Sequence, residues 1–304
     1  MWFKNIRVMQ LPADFKICAS VLGDALSIKK FAPCKPDQRE SWGFGSPYGA
    51  NSSELICKLD SNLLFTVLHQ VRIMPAAAVK ELLNDAVAVI EKTENRTLTA
   101  KQKNELRQQI EFELLPNTLK KTKRIDAWID TSSRLIYINT ASPLELESVT
   151  KLLRAALGTF PCTPINVDQS PITLMTEWLK SPALMPSIFS LGAWCELHAQ
   201  GMEQGTATFK HHDLTSCEVG ENIDMGKQVI RIELVWKGKI SFILDEGLNF
   251  RRLKFLDLLA DELKNSKQES KAEKMEAEFS IMSLQMRLLT AQLYSEFMMC
   301  RWGK

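Results

Sequence analysis

A chain of 304 residues with 38 Lys and Arg against 36 Asp and Glu carries a formal charge of +2, and its 45% apolar and 24% charged residues exclude wholesale disorder. No apolar run approaches the ~18 residues of a membrane span. The opening Met1-Trp2-Phe3-Lys4-Asn5-Ile6-Arg7 lacks the charged-then-apolar order of a signal peptide, so the expected location is the cytoplasm.

At roughly 100–200 residues per domain the length suits two or three domains. Trp2 to Leu11 reads as a strand and Ser20 to Lys30 as a helix capped by Ser20. Pro33, Pro36, Gly43, Gly45, Pro47 and Gly49 mark a long irregular loop, and Leu63 to Met74 a β-rich run ending at Pro75. Val79, Leu82, Leu83, Ala86, Val87 and Ile90 then follow the spacing of one helix face. Thr93 to Thr99 breaks that helix, and Thr99 with Gln102 forms a capping box for a second, which stops at Pro116. Both ends of this pair return to β-like segments, so 76–116 reads as a helical hairpin projecting from a sheet.

Ile125–Asp130 and Leu135–Asn139 read as short strands joined through Thr131-Ser132-Ser133. Ser142-Pro143-Leu144-Glu145 is a strong helix start, the helix ends at Gly158, and Pro161 and Pro164 mark a domain boundary. A helix at Pro171–Lys180 precedes strands near 188–197 and 206–210, and Thr215 with Glu218 forms a capping box for a helix that stops at Gly226. Two strands follow around Lys237-Gly238, with Ile230, Ile232, Leu234 and Trp236 on one face and Arg231 and Glu233 on the other. In a final helix over 270–297, Met275, Phe279, Met282, Met286, Leu289 and Leu293 form a seam that Ile281, Leu284 and Leu288 widen. That width favours packing on its own domain over an intermolecular coiled coil.

Charge is segregated. Residues 92–124 hold nine basic side chains against four Glu, residues 227–254 seven basic against three acidic, and residues 255–280 seven acidic against four basic. Two readings stand: a basic surface for phosphates, or ordinary solvated helix faces.

The chemistry-bearing motifs are mostly missing. There is no phosphate loop, no dinucleotide fingerprint, no His-Glu-x-x-His and no nucleophile elbow. Seven widely spaced cysteines without Cys-x-x-Cys read as reduced thiols rather than a disulfide framework. Cys195, His198, His211, His212 and Cys217 have zinc-compatible atoms. Their spacing fits neither usual ligand pair, and a strand through them sets the two adjacent histidines on opposite faces.

The informative stretch is Lys210, then Asp213-Leu214-Thr215-Ser216, Gly226-Lys227-Gln228-Val229, Trp236 and Arg252-Leu253-Lys254-Phe255. Trp2-Phe3-Lys4-Asn5, Phe31-Ala32-Pro33-Cys34, Leu114-Leu115-Pro116, Trp128-Ile129-Asp130, Leu152-Leu153-Arg154, Leu157-Gly158 and Thr176-Glu177-Trp178 extend the pattern over the whole chain. In this order the chain resembles the RdgC family of recombination-associated proteins. The resemblance implies an α+β subunit shaped like a horseshoe: a β-rich centre (1–75 with 117–165), a helical finger (76–116) and an α+β base with a long C-terminal helix (166–304). Two subunits would close into a two-fold ring around DNA.

It also implies a homodimer that binds double-stranded DNA without sequence preference, with single-stranded DNA a further candidate. Such proteins act as functional antagonists of the RecA recombinase in the cytoplasm and nucleoid, with no catalytic activity, cofactor, metal or membrane. Lys210 and Lys227 carry over as DNA-backbone contacts, and Arg96 at the finger tip more loosely. His211 and His212 stand where the family has Lys-Gln. After Pro116 the family tends to a basic residue and an aromatic that helps close the gate. Here Leu119 is either the apolar gate contact or a core residue of the finger base, and Lys120, Lys121, Lys123 and Arg124 supply the charge. Lys237 and Lys239 read as an exposed turn. Two other classes stay open: a protein-interaction regulator of recombination that touches DNA incidentally, and a metal- or nucleotide-dependent enzyme.

Imidazoles gain charge between pH 8 and 6. Duplex affinity is therefore expected to rise as pH falls through that range, and to be flat in a His211→Ala/His212→Ala double variant. A wild-type isotherm that does not change with pH removes the role given to the two histidines.

Overall fold

The computed structural model describes residues 2–199, 205–256 and 270–298. Part of the acidic stretch, 257–269, and Cys300 lie outside the described residues. The fold is α+β, with seven α-helices among the described residues and two sheets whose strands pair antiparallel.

The first sheet is built from β1 (Arg7–Gln10), β2 (Glu40–Gly45), β3 (Ile56–Leu59), β4 (Asn62–Arg72), β5 (Lys120–Asp130), β6 (Leu135–Ile138) and β7 (Thr163–Pro164). Its order is β2-β4-β5-β6-β1-β7, with β3 alongside β4. The second sheet has the order β12-β11-β10-β8-β9, formed by β8 (Phe189–Ala199), β9 (Thr206–Lys210), β10 (Lys227–Trp236), β11 (Ile240–Asp245) and β12 (Phe250–Phe255). One face of the first sheet (Phe44, Phe65, Val67, Ile125, Ala127, Ile129) is covered by α1 (Ala19–Ile28) and α4 (Pro143–Leu157). Its other face and the inner face of the second sheet share one core with α5 (Pro171–Lys180), α6 (Cys217–Asp224) and the last helix, α7 (Lys271–Phe297).

The seam of α7 is borne out: Phe279, Met282, Met286, Leu289 and Leu293 are fully buried, with Met275 packed against them. The expected widening is not. Leu284 and Leu288 are 52% and 44% exposed, because the helix turns Ser283, Arg287 and Thr290 towards the first sheet instead. Each of these polar groups has a partner there. Tyr137 and Thr290 hydroxyls lie 2.9 Å apart, Asn62 reaches Ser283, and Arg287 pairs with Asp130 at 2.7 Å.

Several expectations change for physical reasons. The helix expected from Ser20 begins one residue earlier, after Cys18, and Ser20 sits inside its first turn. The loop assigned to 33–49 contains β2: its glycines serve close packing, since a Cβ at Gly43 would lie 2.4 Å from the Phe31 backbone. The strand expected over 2–11 is shared between the sheets. Ile6 exchanges backbone hydrogen bonds with Phe250 of β12, and only Arg7–Gln10 joins β6 and β7. β5 begins at Lys120, five residues before the expected start, so the basic run is strand. The Thr215–Glu218 capping box is absent because Thr215 bonds to Asp213, leaving Ser216 at the cap position.

The helical pair is as expected: α2 (Ala76–Glu94) and α3 (Ala100–Leu114), the latter with its Thr99–Gln102 capping box complete. Only Val79 of α2 is buried, no residue of α3 is, and Leu82 of the expected apolar face is 43% exposed. Two helices alone cover one stripe each. The pair is fixed at its base by Arg72, whose buried guanidinium donates to the carbonyls of Leu115, Pro116, Lys35 and Gln38 at 2.9–3.2 Å.

Burial of Asp130 opposes its charge, but donors from Ser132 and Ser133 and the Arg287 cation outweigh this and hold its carboxyl below the ordinary value. A carboxylate with a lowered folded-state pKa stabilises the fold above its unfolded pKa, and that contribution is lost as pH falls below about 4. Arg287→Met is expected to cost about 2 kcal/mol at pH 7 in urea unfolding, below the ~3–5 of a fully buried pair because Arg287 is partly exposed. The same variant should lose less stability than the parent between pH 5 and 3. Equal acid sensitivity in both proteins would refute the assignment.

Candidate nucleic-acid interface

The inner face of the second sheet is consumed by the shared core, while its outer face is charged and partly exposed, with Ser241, Ile243 and Asp245 of β11 buried in it. Along β8, Cys195 and Leu197 point inward, while Trp194, Glu196 and His198 point out beside Lys210, Thr208 and Thr206 of β9. This alternation separates the zinc-compatible residues. Cys195 is fully buried, its thiol pushed up to about 12 by burial, while His198 sits on the opposite face against Glu196. His211 and His212 lie beyond the end of β9 rather than on a strand. Among the described residues no group of three His, Cys, Asp or Glu side chains is placed to hold a metal ion.

Most acidic groups on the outer face are answered locally. Arg231 pairs with Glu196 at 2.8 Å and Arg251 with Asp245 at 3.0 Å, while Glu233 accepts from the Ala193 N–H and the Ser241 hydroxyl. Lys210, Arg252 and Lys254 are exposed, with no carboxylate partner among the described residues. β12 has one residue more than β11 between Arg251 and Lys254, and Arg252 takes up this bulge at φ +50°. Its guanidinium stands 5.7 Å from the ring centroid of Trp194, which is the direct cross-strand partner of Lys210. Its N–H donates to Asn5 Oδ1 at 3.2 Å, and the Leu253 N–H donates to the Lys4 carbonyl at 2.8 Å.

Those two contacts lead onto the first sheet. Lys4 and Asn5 line a groove of about 460 Å³ together with Lys123, Arg124, Thr140 and Glu145. Lys123 pairs with Glu145, and Arg124 donates to Asp126 and to the Pro47 carbonyl, both at 2.7 Å. Lys121, two residues along β5 from Lys123, is exposed and has no carboxylate partner among the described residues. Two basic windows separated by about a hundred residues in sequence therefore meet in one track: Lys121, Lys123 and Arg124, then Lys4 and Asn5, then Arg252, Trp194 and Lys210.

The other expected residues lie off this track. Lys120 donates to the Cys34 carbonyl at 3.0 Å. Lys227 donates to Asn222 at 2.5 Å and lies opposite Ala199, five residues (about 17 Å) along β8 from Trp194 and on the other side of β8 from Lys210. Arg96 is at the far end of the hairpin, paired with Glu94 at 2.6 Å. His211 is exposed at φ +53°, whereas the His212 ring turns to Ser216 and Glu218 at 2.9 and 3.4 Å. Leu119 is 78% exposed, so the reading of it as a core residue does not hold. Lys4, Arg252 and Lys254 stand in sequence motifs and charge windows with nothing to set them apart from their neighbours, and Trp194 carries no signal in the sequence.

Comparison with known proteins places the chain. Residues 1–299 match the family described as "Putative exonuclease, RdgC". A protein of Pseudomonas fluorescens (strain Pf0-1) named "Recombination-associated protein RdgC" is 31% identical over 285 residues, 93% of each chain. Proteins of the same name from Xanthomonas axonopodis pv. citri (strain 306) and Yersinia pestis (strain Pestoides F) are 32% and 30% identical, over 95% and 96% of both chains.

A non-glycine residue held in left-handed backbone stores of order 1 kcal/mol of strain, which glycine relieves. Arg252→Gly is therefore expected to unfold in urea within about 1 kcal/mol of the parent, despite losing its contact with Trp194. A much larger loss would show that the arginine is there for stability.

Proposed function

The chain belongs to the RdgC family of recombination-associated proteins, and from that premise we propose that it is a clamp-like, sequence-nonspecific DNA-binding homodimer that limits access of the RecA recombinase to DNA. In this reading the subunit is a horseshoe of the three parts 1–75 with 117–165, 76–116 and 166–304. The α2–α3 hairpin is its finger, two copies close a ring, and the exposed Leu119 lies at the gate. Lys210, His211, Lys121, Lys123 and Arg124 contact the backbone of a duplex. His212, Lys227, Lys120 and Arg96 remain further candidates once their internal partners are exchanged. The protein works without a cofactor, in the cytoplasm and nucleoid, as a binding protein rather than an enzyme.

The observation that carries this reading is the basic track itself. Its exposed cations are spread along both sheets, with the rings of Trp194 and Trp2 among them. Phosphates recur every few ångströms along a duplex, and contact with them requires spaced cations but no base-edge donors. No helix among the described residues is long and apolar enough to cross a membrane.

The family description favours a second reading, an exonuclease. Degradation of end-labelled linear DNA by the purified protein with magnesium or manganese would put that reading first.

Isotherms on unrelated duplexes over a salt series test the proposal. Affinity is expected to be equal for different sequences and to fall steeply with salt, log K changing by about 0.9 per phosphate for each tenfold change in salt. Lys210→Ala and Arg252→Gly should each weaken binding on every sequence and flatten the slope by roughly one contact. Slower loss from closed circles than from linear DNA is expected of a ring. No binding at low salt would sink the proposal and favour a regulator that acts by protein contact.

A further inference from the structure

The groove between the two sheets already contains an anion. Glu145 is the third residue of α4, and its backbone N–H is capped by Ser142 Oγ at 3.4 Å. A capping-box glutamate would turn its carboxylate back to the Ser142 N–H. Here that N–H is satisfied by Thr140 Oγ1 at 3.0 Å, and the carboxylate reaches forward into the groove. It accepts there from the Lys123 ammonium and from the Thr140 hydroxyl. Its side chain is only 17% exposed, and it keeps its carboxyl below the ordinary pKa although burial opposes the charge. Lys4, on the same groove, has no side-chain partner among the described residues.

We propose that this groove is a phosphodiester site of the DNA interface and that Glu145 is its internal competitor. A backbone phosphate enters between Lys4 and Lys123 as the carboxylate gives up Lys123. Carboxylate and phosphodiester are both monoanions that accept from an ammonium, and two of them cannot share one lysine in a narrow groove without repulsion. The inference rests on the DNA-binding reading above and adds a defined subsite and a limit on its strength.

Glu145→Gln keeps an acceptor for Thr140 and leaves the Ser142 cap in place while removing the charge. Duplex affinity at ~0.15 M salt should rise roughly three- to tenfold, with a salt slope steeper by about one phosphate contact. Lys123→Ala alone should weaken binding by less than Lys210→Ala does, because Glu145 already offsets part of the Lys123 contact, and in the Glu145→Gln background it should abolish the gain. Glu147→Gln, on the same helix and exposed, makes the same charge change away from the groove. An equal gain from Glu147→Gln, or an unchanged slope in Glu145→Gln, overturns the subsite. Failure of every variant and of the parent to bind duplex at low salt would instead overturn the DNA-binding reading beneath it.

Discussion

The structure depends on one helix having sheets on both of its sides. α7 meets the first sheet through Phe279 against Trp128, Thr290 against Tyr137 and Arg287 against Asp130, and the second through Gln292 under the Trp236 indole and Tyr294 beside Phe250. Burying a large apolar side chain contributes about 1.5–3 kcal/mol, and α7 buries six of them along with its polar groups. Those polar contacts matter for direction as much as for energy. An apolar helix between two apolar faces can slide or rotate at small cost. Hydrogen bonds that join Ser283, Arg287 and Thr290 with fixed sheet residues pin both register and rotation. The relative placement of the two sheets follows, and with it the spacing of every cation on the track that crosses them.

The chain's first residues complete that arrangement at the surface. They pair with β12 at Ile6 and with β6 from Arg7 onward, so one short segment belongs to both sheets. Lys4 and Asn5 are held at the junction by hydrogen bonds from β12, the Lys4 carbonyl accepting from the Leu253 N–H and Asn5 Oδ1 from the N–H of Arg252 in the strained bulge. The contrast with the α2–α3 hairpin is instructive. The cations of the candidate interface sit on edge strands (Lys210 on β9, Arg252 on β12) and on the part of β5 that pairs with β4 alone (Lys121–Arg124), while the hairpin buries a single side chain of its own and leans on the carbonyl contacts of Arg72.

Legibility in the sequence tracked the range of the interaction. Local signals were readable: the α7 seam, the Thr99 box, the Ser142-Pro143 start and the Lys237-Gly238 turn, whose two residues both adopt positive φ. β2 was hidden because Gly43 and Gly45 resemble turn residues, and only a backbone or side chain from elsewhere explains them. The start of β5 was hidden because Lys120–Arg124 has no apolar alternation. Its pairing with Leu68–Arg72 of β4 extends the strand past the core into solvent. For the site, charge windows found both basic sets but not their junction, since Lys4 reaches Lys123 and Arg252 only through long-range pairing. They also could not separate a free lysine from a paired one: Lys121 and Lys123 look alike in sequence, and only the fold brings Glu145 to the second.

That difference bears on how a protein of nearly neutral charge can present a basic surface. Along the track several cations are held by carboxylates: Arg231 by Glu196, Arg251 by Asp245, Arg124 by Asp126 and Lys123 by Glu145. Each pair removes a cation from the field that a duplex would feel and leaves it close enough to exchange partners. A surface built from free lysines alone would hold DNA tightly and release it slowly. One in which carboxylates share the cations gives up some of each contact's strength, because a phosphate must displace an anion already in place. Affinity is then spread over many weak and replaceable contacts, which is the condition under which a protein can hold DNA without a preferred sequence and still move along it.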